Sequence, residues 1–273
     1  MVNPGDIVPL ALQPDVVALS FLIAFFGSYV ALVAAARIRA SVQDGANVRG
    51  FVLIAAVSMG GIGIWGMHFI GMQAQRMPFE VGYALWLTLL SAAVAVAFSG
   101  MAFWYVGRRA FGLGRCVVAG MLAGLGVAAM HYIGIGAVRM PAVFLWNVQL
   151  VALSVAVAVA SAIVALWLAF NVQREWQRVA AAAVMGLAVC GMHYTGAAAG
   201  VVVCTTAQTF ADVQVGGVAL PYVAFAGALA VLLAMRWQLH RSYRGHQDRT
   251  ARRIDALLRE TAIGRPVRGH PGR

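Results

Sequence analysis

A chain of 273 residues that is 62% hydrophobic and only 11% charged does not read as a soluble domain, where about a quarter of residues are charged. Its formal charge of +11 would ordinarily suggest nucleic acid, but every basic residue is an arginine placed between apolar blocks or in the tail after Met235. That placement excludes nucleic acid and favours anionic lipid as the acidic partner.

Apolar blocks longer than roughly 18 residues mark spanning helices. Taken in order they predict spans at 16–36, 51–73, 83–106, 116–138, 147–170, 179–203 and 218–236. The expected organisation is a short N-terminal segment (1–15), a seven-helix membrane domain (16–236) and an Arg-rich cytoplasmic tail (237–273). The opening stretch lacks a basic n-region, so the first span is expected to act as an uncleaved insertion signal. Arg37, Arg39 and Arg49 fall between spans 1 and 2, Arg108, Arg109 and Arg115 between 3 and 4, and Arg174 and Arg178 between 5 and 6. The alternate loops hold Arg76 and Arg139. The positive-inside rule then places the N-terminus outside and the C-terminus inside. Ala251, Ile254, Leu257 and Leu258 give the tail a short amphipathic helix. Cys116, Cys190 and Cys204 are not placed to pair, and their odd number argues against a disulfide framework.

The strongest feature is an internal repeat. Segments 61–71, 124–134 and 186–196 fit, without a gap, Gly-φ-[Gly/Ala]-φ-x-[Gly/Ala]-Met-His-[Phe/Tyr]-x-Gly, where φ is apolar. Their histidines, His68, His131 and His193, are 63 and 62 residues apart, so one repeat is one pair of helices. The predicted fold class is all-α: three parallel two-helix repeats in approximate threefold arrangement, plus a seventh helix. Helix rise puts the histidines roughly 8–15 Å below the outer boundary. Arg-Met-Pro follows the first two histidines at the same distance, with Met77 and Met140 at the rim, whereas the third repeat ends in Val201-Val202-Val203.

Histidine in a bilayer is expensive and usually faces the bundle interior. The glycines seven before and three after each histidine lie on its side of the helix, where they let helices approach or admit a bulky planar group. Met67, Met130 and Met192 flank the histidines. Three imidazoles with three thioethers form a soft, neutral ligand set that suits copper, Cu(I) above all, better than magnesium or calcium. The predicted spans contain no Asp or Glu to neutralise a hard cation.

The triplets Met192-His193-Tyr194, Met130-His131-Tyr132 and Met67-His68-Phe69 resemble the MHYT-domain family of bacterial integral membrane sensors. The resemblance covers about residues 16–236 and implies a copper site near the outer face that senses a diatomic gas (oxygen, carbon monoxide or nitric oxide). It further implies the bacterial inner membrane, a periplasmic N-terminus and a cytoplasmic C-terminus. Many relatives attach domains that make or degrade cyclic di-GMP, or a histidine kinase. With no such domain in this sequence, a separate cytoplasmic signalling protein is the expected partner, self-association into a homo-oligomer stays open, and enzymatic activity is not expected.

Other readings of the same residues are a b-type haem held by two of the histidines, with Arg76 and Arg139 at the propionates, and a copper transporter. A zinc hydrolase lacks the carboxylate base such chemistry uses. Interhelical hydrogen bonding by the imidazoles, methionines as gap fillers, and Tyr132 and Tyr194 as membrane anchors are the structural alternatives. Cys190, one turn before His193, reads as a small buried hydrophobe.

Overall fold

The computed structural model describes residues 3–206, 213–216, 222 and 224–241. Among them are six helices long and apolar enough to cross a membrane. We number these α1 (Pro14–Gln43), α2 (Arg49–Gln73), α3 (Leu85–Gly107), α4 (Leu113–Gly136), α5 (Val148–Asn171) and α6 (Glu175–Ala198). Residues 224–241 are also helical, overlapping the expected seventh span. The proposed tail helix lies outside the described residues. By internal contacts the chain divides into two compact units, 1–232 and 233–273.

Local chemistry sets the helix ends. Pro14 opens α1, where its missing N–H costs nothing, and Gly45, at φ +65°, turns the chain after it. The Asn147 side chain accepts from the backbone N–H groups of Gln149 and Leu150 at the start of α5. α1 outruns its predicted span, so Arg37 and Arg39 are helical and not in a loop. Asp15 and Glu175, expected just outside the spans, occupy the first turns of α1 and α6.

In sequence order, each helix packs on the next and α6 returns to α1, which closes a ring. α3 and α5 are the least buried, presenting Trp86, Leu89, Trp104, Leu153 and Trp167 outward as lipid-facing helices do. At one end α2, α4 and α6 meet on the axis. At the other α1, α3 and α5 do: a methyl group at Gly107 would come 2.5 Å from Ile38, the Phe103 and Phe170 rings stand 6.3 Å apart, and Arg39 donates to the Phe170 carbonyl oxygen at 2.7 Å.

The repeats are not identical. Val57–Gly66 of α2 winds as a π-helix, a form that is rare and mostly confined to single turns. Gly27 of α1 and Gly63 of this stretch nearly touch, since a methyl on Gly27 would lie 2.6 Å from the Gly63 Cα.

Strands the sequence reading did not anticipate cover the end where α2, α4 and α6 finish. They are β1 (Ile7–Val8), β2 (Gly82–Ala84), β3 (Val138–Arg139), β4 (Ala142–Trp146), β5 (Gly200–Cys204) and β6 (Gln214–Gly216), in two antiparallel sheets ordered β1-β5-β4 and β3-β2-β6. Residues 200–203, read as the end of the sixth span, belong to β5. Val201-Val202-Val203 is β-branched, which fits a strand better than a helix end. Met140 and Cys204 share a buried cluster under these sheets with Val8 and Val202, and Met77 packs against it. Of the two methionines expected at the rim, Met140 is therefore buried in the core of the cap and Met77 is partly buried against it.

Candidate metal centre

Each histidine stands five residues before the last residue of its helix: His68 before Gln73, His131 before Gly136 and His193 before Ala198. At 1.5 Å per residue all three lie about 7.5 Å inside the helix end. The depth is thus equal, not spread over 8–15 Å as the predicted span ends implied. The spread came from counting residues 137–138 and 199–203 as helix.

All three imidazoles are buried and face one another. His68 Nδ1 is 3.0 Å from His193 Nδ1 and 3.1 Å from His131 Nδ1. The ring centroids are 4.9, 5.0 and 5.2 Å apart, edge to face. One ligating nitrogen from each residue lies within 4.8 Å of the others.

The outward nitrogens reveal how the triad is built. A methyl group at Gly71 would come 2.6 Å from His193 Nε2; one at Gly134 would collide with His68 Nε2, and one at Gly196 with His131 Nε2. The glycine three residues after each histidine therefore receives the ring of the preceding repeat, in a closed cycle. None of the three Nε2 atoms has a hydrogen-bond partner. The first glycine of each motif faces the next helix in the ring: Gly61 meets the Val96 side chain of α3, Gly124 abuts the α5 backbone and Gly186 that of α1.

The aromatic that follows each histidine points the other way. Tyr132 Oη pairs with Ser154 Oγ at 2.7 Å, and Tyr194 Oη with Ser20 Oγ at 2.9 Å. In the first repeat Phe69 has no hydroxyl, and Trp65 Nε1 donates instead to Ser91 Oγ at 3.0 Å. Ser20, Ser91 and Ser154 are each the seventh residue of an odd-numbered helix. These serines carried no motif, and only the common offset from the helix starts marks them. Of the flanking methionines, Met67 and Met130 are fully buried, while Met192 packs against Ala128 of α4 and Ala158 of α5.

The arrangement fits one small ion. Three nitrogens about 2.0 Å from an ion stand about 3.3–3.5 Å apart at tetrahedral to trigonal angles, so the two contacts made by His68, at 3.0 and 3.1 Å, need to open by only a few tenths of an ångström. A neutral imidazole carries one N–H, so these contacts pair two rings only where one Nδ1 bears it; with the proton on Nε2 of each ring, the Nδ1 lone pairs would suit a cation better than they suit one another. Haem does not fit. The rings touch edge to face, and the glycine surfaces that might have admitted a porphyrin are occupied by imidazoles.

The first two histidine motifs lie within stretches shared with known proteins. The family model described as MHYT, the bacterial signalling protein N-terminal repeat, matches twice, at 61–119 and 124–182, each copy beginning on the first glycine of a motif. The chain is 39% identical over 188 residues to the bifunctional diguanylate cyclase/cyclic di-GMP phosphodiesterase MucR of Pseudomonas aeruginosa, covering 67% of this chain and 27% of the relative. It is 34% identical over 228 residues to the cyclic di-GMP phosphodiesterase NbdA of the same organism, covering 81% and 28%. To the signaling protein YkoW of Bacillus subtilis it is 27% identical over 187 residues, covering 66% and 23%. The aligned part spans about a quarter of each relative. No solved structure matches the chain.

Proposed function

Since this chain belongs to the MHYT family of bacterial membrane signalling proteins, we propose that it is the sensory part of a signalling system and that His68, His131 and His193 hold one copper ion through their Nδ1 atoms. Met67, Met130 and Met192 line or assist that site. Bound there, copper supplies a soft, redox-active centre able to take up a diatomic gas, with oxygen, carbon monoxide and nitric oxide as the candidates. The observation that carries the reading is that three buried imidazoles from three repeats bring one ligating nitrogen each within 4.8 Å of the others, His68 Nδ1 lying 3.0 and 3.1 Å from the Nδ1 atoms of His193 and His131.

The protein's own contribution is geometric. Each imidazole is clamped between its own helix and a glycine of another, so any change in the size of the triad moves α2, α4 and α6 together. That movement is transmitted to the Arg-rich end, where a separate cytoplasmic signalling protein reads it, either alone or with the chain as a homo-oligomer. The arginine distribution supports the inner membrane with the histidine end periplasmic and the tail (237–273) cytoplasmic. Copper transport finds less support, since α1, α3 and α5 close the far end of the axis with Ile38, Phe103 and Phe170.

Metal analysis of protein purified without added metal, in wild type and His131→Ala, tests the site. One copper per wild-type chain and none in the variant are expected. Equal copper in both rejects the triad as the ligand set. Absence of any transition metal from both favours a hydrogen-bonded imidazole cluster, which the 3.0 and 3.1 Å contacts would then explain.

A further inference from the structure

Beneath the histidines, on the side away from the strands, the bundle holds a partly open cavity of about 60 Å3. Ile64, Val127 and Val189 line it, and each lies four residues before the histidine of its own helix. Residues four apart share a helix face about one turn from each other. These three side chains therefore form a roof directly under the triad, and they place the cavity on the axis within one turn of the Nδ1 atoms. Phe103 and Leu166 line it too; they belong to the odd-numbered helices that converge at the far end, and so make its floor. Met192, next to His193, is part of the wall.

The lining is almost entirely apolar, with Ser99 and Ser161 its polar side chains. A buried water needs two to four hydrogen-bond partners, whereas apolar cavities of roughly 150 Å3 stay dry and admit xenon or benzene. This cavity is smaller, and it has nothing to offer a charged or strongly hydrogen-bonding ligand.

We propose that this cavity is a binding chamber for one small, uncharged, apolar molecule of the size of xenon or a dissolved diatomic gas, held one helical turn from the histidines. Delivery of that molecule to a metal rests on the copper reading above; occupancy of the chamber does not. Three gaps between β-branched side chains separate it from the triad, so Ile64, Val127 and Val189 govern passage.

Xenon is the probe. A titration of the full chain in lipid nanodiscs, followed by the xenon-129 chemical shift, should show one saturable site. Ala162→Leu on α5 and Ala102→Leu on α3 fill the same space from opposite walls, far from the histidines. Each should weaken xenon binding at least about tenfold while copper content stays at the wild-type level. Two filling variants guard against one that misfolds, and copper content reports folding in both. His131→Ala should keep the xenon site. No saturable site in wild type, whether because the space is filled by a lipid tail or because it collapses, overturns the chamber. So does unchanged xenon affinity in both filling variants. Absence of copper from the wild type together with a saturable xenon site would instead sink the metal reading and leave the chamber standing.

Discussion

The His68 ring rests on Gly134, which belongs to a different helix and the next repeat, and a single added carbon at that glycine would occupy the space of the His68 Nε2 atom. The same relationship links His131 to Gly196 and His193 to Gly71. The motif is thus not a self-contained local site. Its histidine and its glycine serve different partners, and the site exists only when all three helices are assembled.

Gly134→Ala should therefore behave unlike Gly136→Ala, only two residues away. A methyl group at Gly136 meets nothing within 4 Å, and alanine there should be neutral or stabilise by up to about 1 kcal/mol through helix propensity. At Gly134 the added carbon must displace a ring fixed on both sides, an overpacking cost of about 1–3 kcal/mol. Thermal unfolding in detergent and copper content should both fall for Gly134→Ala and neither for Gly136→Ala. Equal behaviour of the two would show that the glycine cradle does not set the geometry of the triad.

Tyr132→Phe and Tyr194→Phe should leave copper content unchanged. Their hydroxyls bond to Ser154 and Ser20 on neighbouring helices, and the first repeat already carries Phe69 at this position. Interhelical hydrogen bonds of this kind average about 0.6 kcal/mol in membrane proteins, so a small loss of stability is expected. Ser154→Ala should cause the same loss as Tyr132→Phe, and the double variant should lose no more than either. Loss of copper on removing a tyrosine hydroxyl would mean that the ring swings inward in the metal-bound protein.

The bundle and the site were legible in the sequence to different depths, for physical reasons. Long apolar blocks leave little choice but helices, and three gapless copies of Met-His-aromatic imply equivalent positions, so the grouping of the three histidines is legible in the sequence alone. The direction of its partners could not. A helix wheel places Gly71 on the same face as His68 but cannot say that the ring filling Gly71 comes from His193, because that depends on how three helices are phased about an axis. The strands were missed because β1, β2, β3 and β6 are only two or three residues long. The π-helical stretch left one trace, its four glycines at 60, 61, 63 and 66, which also fit an ordinary close-packed helix.

That stretch gives a third prediction. Gly27→Ala puts a methyl 2.6 Å from the Gly63 Cα and 2.7 Å from the Ser58 carbonyl oxygen, both of them backbone atoms that cannot rotate away. α1 and α2 must separate, at about 1–3 kcal/mol. Because Met67 and His68 follow directly on the π-helical residues, the displacement should also reduce copper content. Gly50→Ala, at the open start of α2 with nothing within 4 Å, is the control and should do neither. A Gly27→Ala protein with wild-type melting would show that the α1–α2 contact has room for a methyl group.

Orientation can be tested independently of any metal. The native thiols of Cys116, Cys190 and Cys204 are all buried, so an exposed introduced thiol should dominate labelling by a membrane-impermeant maleimide. Glu80, between α2 and α3, and Ala46, between α1 and α2, are both exposed and lie at opposite ends of the bundle. If the Arg-rich end faces the cytoplasm, as the excess of arginine there favours, intact spheroplasts should label Glu80→Cys. Ala46→Cys should label only after lysis. The reverse pattern would turn the histidine end inward, and the triad would then meet the reducing interior of the cell, where a copper centre facing the periplasm could no longer be its role.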